Sequence, residues 1–244
     1  MYQTPDVRVA YGRSPGGNLH LDRQDKVFVL TMDDGENRMN DTWVADINAA
    51  LDTVQNTPGP KALVTTGAEK YYSNGLDLDW LMATEGLNVR AFVASTEKVL
   101  ARLLGFPAIT VAALNGHTFA AGAMLALTHD LRIMRSDRGF FCLPEVDIKI
   151  PFTDGMNGLV MQRMPAMTAH RVMVTGARFG GAECVSFGIV DEAVADEDVL
   201  PRAIEVASQL ADKDPDTLGL IKHRMYADTI AALENSAGTA PAGM

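Results

Sequence analysis

The stretch Ala108-Ile-Thr-Val-Ala-Ala-Leu114, continued by Asn115-Gly-His-Thr-Phe-Ala-Ala-Gly-Ala-Met-Leu-Ala-Leu127 and closed by Cys142-Leu-Pro-Glu145, decides how the chain folds. Ile109 to Leu114 is short, rich in β-branched residues and bounded by Pro107 and Gly116, which predicts a buried strand. Ala120 to Leu127 has helix-forming composition. A strand that turns directly into a helix leaves backbone N–H groups unpaired and pointing outward, a ready anion site. Leu131 to Met134 reads as the next strand, and Glu145 follows in an apolar setting.

Working outward, Val7–Tyr11, Leu19–Asp22 and Val27–Met32 read as a β-meander, with a turn signal at Pro15-Gly16-Gly17-Asn18 between the first two. Asp33 to Asn40 is a polar loop, and Asn40 caps a helix whose apolar face is Trp43, Val44, Ile47, Leu51 and Val54. Ala62–Thr66 is a strand. Tyr71 to Leu78 repeats the strand, glycine corner and short helix, and a second amphipathic helix spans Val89 to Leu104. Beyond Glu145 the pattern predicts helices at Asp154–Arg163, Ala166–Thr175, Ala182–Phe187 and Val199–Ala211, and a short strand at Ile189-Val190. A final helix starts at Asp214-Pro215, with Leu218, Ile221 and Met225 on one face. Ser236 to Met244 is small, polar and read as frayed. No internal repeat is visible. Strand and helix alternate from Asp41 onward, which argues α/β with a substantial parallel sheet. Residues 1–195 read as the core and 196–244 as a helical C-terminal region, a lobe apart or an oligomerisation element.

The chain has 244 residues, enough to bury a sizeable core, and a formal net charge of −10, which disfavours nucleic acid or an anionic membrane as partner. No apolar run approaches the length of a membrane span. The two cysteines, Cys142 and Cys184, suit buried thiols in a reducing compartment, and the first residues lack a secretory pattern. The expected location is cytoplasmic. No phosphate loop, Gly-x-Gly-x-x-Gly or Gly-x-Ser-x-Gly is present, and the five histidines show no metal-ligand spacing, so neither a metal nor a bound cofactor is expected. His117 is read as hydrogen-bonding the turn in which it sits.

Asn37-Arg38-Met39-Asn40, Ser73-Asn74-Gly75-Leu76-Asp77-Leu78, Asn115-Gly116 through Gly122, Pro144-Glu145, and Thr175-Gly176 with Gly181-Ala182-Glu183 and Gly188-Ile189-Val190-Asp191 occur in one order. Together they resemble the crotonase, or enoyl-CoA hydratase/isomerase, superfamily from about Val7 to Ala211. The resemblance implies a crotonase-like ββα spiral, a homotrimer or dimer of trimers, and an acyl-CoA thioester as substrate, coenzyme A entering only as part of it. It implies an oxyanion hole of two backbone N–H groups, at Leu76 and Ala121, and sets Arg38, Asn74, Gly75, Gly122 and Met124 against the substrate. Family hydratases hold a water between two glutamates. One of those positions is Met124 here, so Glu145 is left as the single acid/base, the pattern of the Δ3,Δ2-enoyl-CoA isomerases. An apolar surround of Leu143, Val146, Ile148 and Met124 is expected to raise its pKa. Alternatives at the residue level are Asp77 as a second carboxylate or as a helix cap, Arg38 as a phosphate ligand or a solvated arginine, and Met156, Met161, Met164 and Met167 as acyl pocket or core.

Overall fold

The computed structural model describes residues 8–13 and 18–236; the turn at Pro15–Gly17 and the stretch after Ser236 lie outside them. In order, the elements are β1 (Arg8–Arg13), β2 (Leu19–Gln24), β3 (Val27–Met32), α1 (Asp41–Asn56), β4 (Ala62–Gly67), β5 (Tyr71–Ser73), α2 (Leu78–Ala83) and α3 (Val89–Leu104). Next come β6 (Ile109–Leu114), β7 (His117–Phe119), α4 (Ala121–Thr128), β8 (Leu131–Arg135), β9 (Phe141–Cys142), α5 (Glu145–Ile148), α6 (Asp154–Arg163) and α7 (Ala166–Thr175). The chain ends on α8 (Gly181–Ser186), β10 (Glu192–Val194), α9 (Asp196–Leu210), α10 (Pro215–Met225) and α11 (Ala227–Glu234).

Two sheets organise them. The larger runs β1-β2-β3-β4-β6-β8-β10, antiparallel through the meander and parallel from β3 onward. The smaller, β5-β7-β9, is parallel throughout. Each of β4, β6 and β8 leaves the large sheet, turns, adds a two- or three-residue strand to the small one and then enters a helix. This unit of two strands and a helix, made three times, is the repeat that the sequence does not display. Its turns share a path and not a residue pattern, because each packs against different neighbours. The small strands β7 and β9 escape a reading by alternation for the same reason: two or three residues carry no period.

Both faces of the large sheet are covered, so its strands read as continuous apolar runs. Phe28, Leu30 and Leu63 point into the main core with Leu100, Leu103 and Leu125. Val27, Val29, Val64, Val111 and Ile133 point the other way, onto Val199, Ala203 and Ala207 of α9. The chain from Asp196 on thus lays α9 across the sheet, while α11 packs on α3 and α6.

Two local readings change. Ile189 and Val190 are buried in the turn after α8, and the strand that joins β8 is three residues later, at Glu192–Val194. On α10, Ile221 and Met225 are exposed, and the inward positions are Gly219 and Lys222. Lys222 is drawn in by acceptors that no apolar residue satisfies: its ammonium donates to the carbonyls of Phe106 (3.0 Å) and Ala108 (2.8 Å) and to Asp130 (2.6 Å). Burial pulls its pKa below the ordinary value, and Asp130 opposes that. The same carboxylate accepts from the Thr110 N–H, so one ion pair ties α10 to the start of β6.

Lys222→Met keeps the volume and removes the donor. It is expected to cost about 3 kcal/mol, the low end for a broken buried pair because Asp130 retains some water. Urea unfolding measures this, and a loss below about 1 kcal/mol would show that packing replaces the pair.

Candidate active site

The first corner is built where β5 ends. Gly75 has φ +85°, a left-handed conformation that glycine adopts without strain. The loop before α1 is tied to this corner from both sides. Asn37 Nδ2 donates to the Tyr71 and Tyr72 carbonyls (2.9 and 3.1 Å), Ser73 Oγ donates to the Asn37 carbonyl (2.7 Å), and the Met39 N–H donates to the Gly75 carbonyl (2.8 Å). Asp77 N–H then donates to the Met39 carbonyl (2.9 Å), which leaves Leu76 between two occupied groups. Its own N–H has no acceptor among the described residues.

The second corner lies between β7 and α4. Ala120 has φ +50° and ψ −126°, a conformation rarely held by a residue with a side chain, at a cost of about 1–3 kcal/mol. Its N–H donates to the Cys142 carbonyl of β9 (3.0 Å) and its carbonyl accepts from the Met124 N–H (3.1 Å), so both neighbours fix it in place. Ala121 opens α4, and its N–H also lacks an acceptor among the described residues. The corners touch. A Cβ on Gly75 would lie 3.0 Å from the Ala120 Cβ and 3.0 Å from the Ala121 nitrogen, and one on Gly122 would lie 2.4 Å from the Ser73 carbonyl oxygen.

A cleft of about 310 Å³ opens at this junction. Of the residues singled out in the sequence, Arg38, Asn74, Leu76, Ala121, Met124 and Glu145 line it. Gly75 and Gly122 do not; they are spacers that let the corners meet. Phe119 and Ala120, inside the second motif, and Ile150 and Pro151, shortly after Glu145, line it without having been named as site residues. Nothing in the sequence marks Ala120 as strained, since alanine is not the residue that such a turn selects.

Glu145 is the first residue of α5 and is 6% exposed. Its Oε2 is buried with no hydrogen-bond partner among the described residues. Burial pushes its pKa from 4.5 to about 7, opposed only by its own backbone N–H. Met124 and Ile148 share the cleft with it, as expected, whereas Val146 faces an outer groove. Asp79, the other carboxylate in the cleft, is largely exposed and held 2.6 Å from Arg38. Asp77 caps α2 through the Trp80 N–H (3.1 Å) and stays out of the cleft.

Arg38 is not free for a phosphate. Its guanidinium meets Glu36 at 2.7 Å, Asp79 at 2.6 Å and Asp77 at 3.7 Å, and Asn74 donates to the same Glu36 oxygen (2.8 Å). His117 makes no turn hydrogen bond through Nδ1, which is buried without a partner. Of the four methionines, Met156 lines the cleft, Met164 is core, and Met161 and Met167 are exposed. Both cysteines are buried free thiols. Among the described residues no group of three His, Cys, Asp or Glu is placed to hold a metal, and no helix is long and apolar enough to cross a membrane.

A spiral of this kind, carrying two touching strand-to-helix corners, is the architecture of the crotonase class, and solved members superimpose on it. An enoyl-CoA isomerase of Mycobacterium tuberculosis matches with a TM-score of 0.83 at 26% identity, over 91% of this chain and 96% of that one. The chain belongs to the enoyl-CoA hydratase/isomerase family, whose model matches residues 22–239. Enoyl-CoA delta isomerase 3 of Arabidopsis thaliana is 38% identical over 202 residues, which are 79% of this chain and 84% of the relative. Carnitinyl-CoA dehydratase of Escherichia coli K12 is 30% identical over 84% of this chain and 78% of its own length.

Two outcomes follow from the geometry. Gly122→Ala adds helix propensity worth about 1 kcal/mol but drives a methyl into a backbone carbonyl, an overpacking cost of about 1–3 kcal/mol. The balance is a net loss, readable by urea unfolding, and a more stable variant would contradict the close approach. Glu145 has a folded pKa above its unfolded one, so its contribution to stability is full below pH 4.5 and lost as pH rises through about 7. Glu145→Gln should therefore gain on the parent between those pH values by up to about 3 kcal/mol and then level off. A difference independent of pH would place the carboxylate in water.

Proposed function

We propose that the protein is a Δ3,Δ2-enoyl-CoA isomerase with Glu145 as its only proton carrier. The observation that carries this reading is that Glu145 is, among the described residues, the single buried carboxylate on the cleft, while Met124 of α4 lines the same cleft. A thioether neither anchors nor activates a water, and Asp79 is exposed and neutralised by Arg38.

The thioester oxygen of a 3-enoyl-CoA sits between the Leu76 and Ala121 N–H groups. The Glu145 carboxylate takes a proton from C2, and the electron pair delocalises into a dienolate whose charge rests on that oxygen. Fixed donors aimed at developing charge lower such barriers by about 3–4 kcal/mol each. The protonated Glu145 then delivers its proton to C4, the double bond settles between C2 and C3, and no water enters the balance. A carboxyl group with a pKa of about 7 serves both steps, since it is neither too weak a base for C2 nor too weak an acid for C4. The relatives named as enoyl-CoA delta isomerases support this choice within the family.

Incubation with a 3-enoyl-CoA should yield the 2-enoyl-CoA, and incubation with a 2-enoyl-CoA should give no 3-hydroxyacyl-CoA. Hydration as the main reaction would overturn the proposal. Glu145→Gln should lower kcat by about 10²- to 10⁴-fold. For the parent, kcat/KM should rise with pH through about 7 to a plateau, because the base must be ionised in the free enzyme. Full activity in the Gln variant would remove Glu145 from the chemistry.

A further inference from the structure

Glu97 is a buried carboxyl group that the mechanism does not use. It sits in the middle of α3, fully buried, and no residue of α3 lines the cleft. Among the described residues no cation pairs with it, and its Oε2 has no hydrogen-bond partner. Burial raises its pKa, the Ser236 and Thr153 hydroxyls oppose that, and the like charge of Asp154 adds to it. An apolar side chain would fill the same space without the cost of burying a carboxyl group.

What an apolar side chain could not do is accept from Thr153. The Thr153 hydroxyl caps α6 by accepting from the Met156 N–H (3.2 Å), and its own proton goes to Glu97 Oε1. Thr153 stands within one wall of the cleft, with Ile150 and Pro151 before it and Met156 after it. That wall starts from Glu145, since the Ile150 N–H donates to the Glu145 carbonyl (3.0 Å). Between these two anchors the backbone secures nothing. Pro151 has no N–H, and those of Phe152 and Thr153 make no backbone hydrogen bond among the described residues. The far end of the wall is therefore hung on a side chain of α3.

We propose that Glu97 is a positioning residue for the isomerisation: through Thr153 it holds the wall from Ile150 to Met156 in place relative to Glu145, so that C2 and C4 of the acyl chain both stay within reach of that carboxylate. It acts as a hydrogen-bond acceptor and not as a charge. A shuttle in which one carboxyl group serves two carbons asks more of alignment than a single proton transfer does. A misplacement of about 1 Å in such a geometry can cost about 10²-fold in rate. The inference rests on the isomerase reading above and deepens it.

Kinetics with 3-hexenoyl-CoA and backbone hydrogen exchange test it on the full chain, at a temperature where circular dichroism shows the variants folded. Glu97→Leu removes the acceptor and should lower kcat about 10- to 100-fold, with KM changed less than about threefold. The amides from Ile150 to Met156 should exchange faster in it, and those of β4 and β6 should not. Glu97→Gln keeps an acceptor at the same point and should match the parent in both measurements. Thr153→Val should lose at least as much as Glu97→Leu, because it also removes the α6 cap, and the double variant should lose no more than Thr153→Val alone. An unchanged kcat in Glu97→Leu, a Gln variant as impaired as the Leu variant, losses that multiply in the double variant, or exchange raised evenly over the chain would each overturn the inference. Where Glu97→Leu does not fold, Thr153→Ser, which keeps the hydroxyl, should match the parent while Thr153→Val does not, and equal losses in the two would overturn it. If the parent isomerises nothing while exchange still follows the acceptor, the hold on the wall stands and the assigned reaction falls.

Discussion

Two stretches of backbone meet at van der Waals distance where Gly75 passes Ala120 and Ala121, and the site depends on that contact. Side chains at Gly75 and Gly122 would wedge the corners apart, and with them the Leu76 and Ala121 N–H groups, which have no acceptor among the described residues. The small sheet enforces the approach, because β5 and β7 are hydrogen-bonded neighbours that end at the two corners. The loop before α1 adds a clamp, since Asn37 and Met39 bind the first corner through backbone groups on both sides of Leu76. Ala120 keeps its strained conformation because β9 and the first turn of α4 hold its N–H and carbonyl.

Against this frame the buried charges divide by how they are satisfied. Arg132 is buried, yet it donates to the Ile189 (2.8 Å) and His129 (3.0 Å) carbonyls and lies near Asp191, so its lowered pKa of about 10 still leaves it charged. Lys222 has three acceptors. Both fasten elements together. Among the described residues Glu145 has neither cation nor donor at Oε2, and what burial takes from its stability when ionised it returns as basicity. A salt bridge there would have lowered its pKa and blunted the base.

Much of this was legible in the sequence, and the reasons differ from place to place. The large sheet and the long helices announce themselves because β4, β6, α1 and α3 carry a period or an unbroken apolar run. Glu145, Leu76 and Ala121 could be placed on the cleft they line because each sits inside a motif. The small sheet was hidden by its brevity, and the inward face of α10 by Lys222, whose partners are carbonyls of another element. Arg38 shows the same limit. Its sequence neighbours advertise a loop cation, but the carboxylates that neutralise it include two from the far corner, Asp77 and Asp79. Hydrogen bonds and ion pairs between distant segments leave no period to read.

Met124 then has a meaning beyond the absence of a water ligand. A carboxylate at that point would stand beside Glu145 in the same apolar cleft, and two like charges so placed cannot both ionise. One of the pair would be driven well above neutrality and the other held near its free value, a division that suits adding water, where one group gives a proton while the other takes one. With a thioether there, the shift at Glu145 comes from burial alone and stops near 7. On the proposed mechanism that is the useful place to stop. One group has to take a proton from carbon and give it back to carbon within a single encounter, so its two protonation states must be close in free energy. Burial without a charged neighbour supplies that balance.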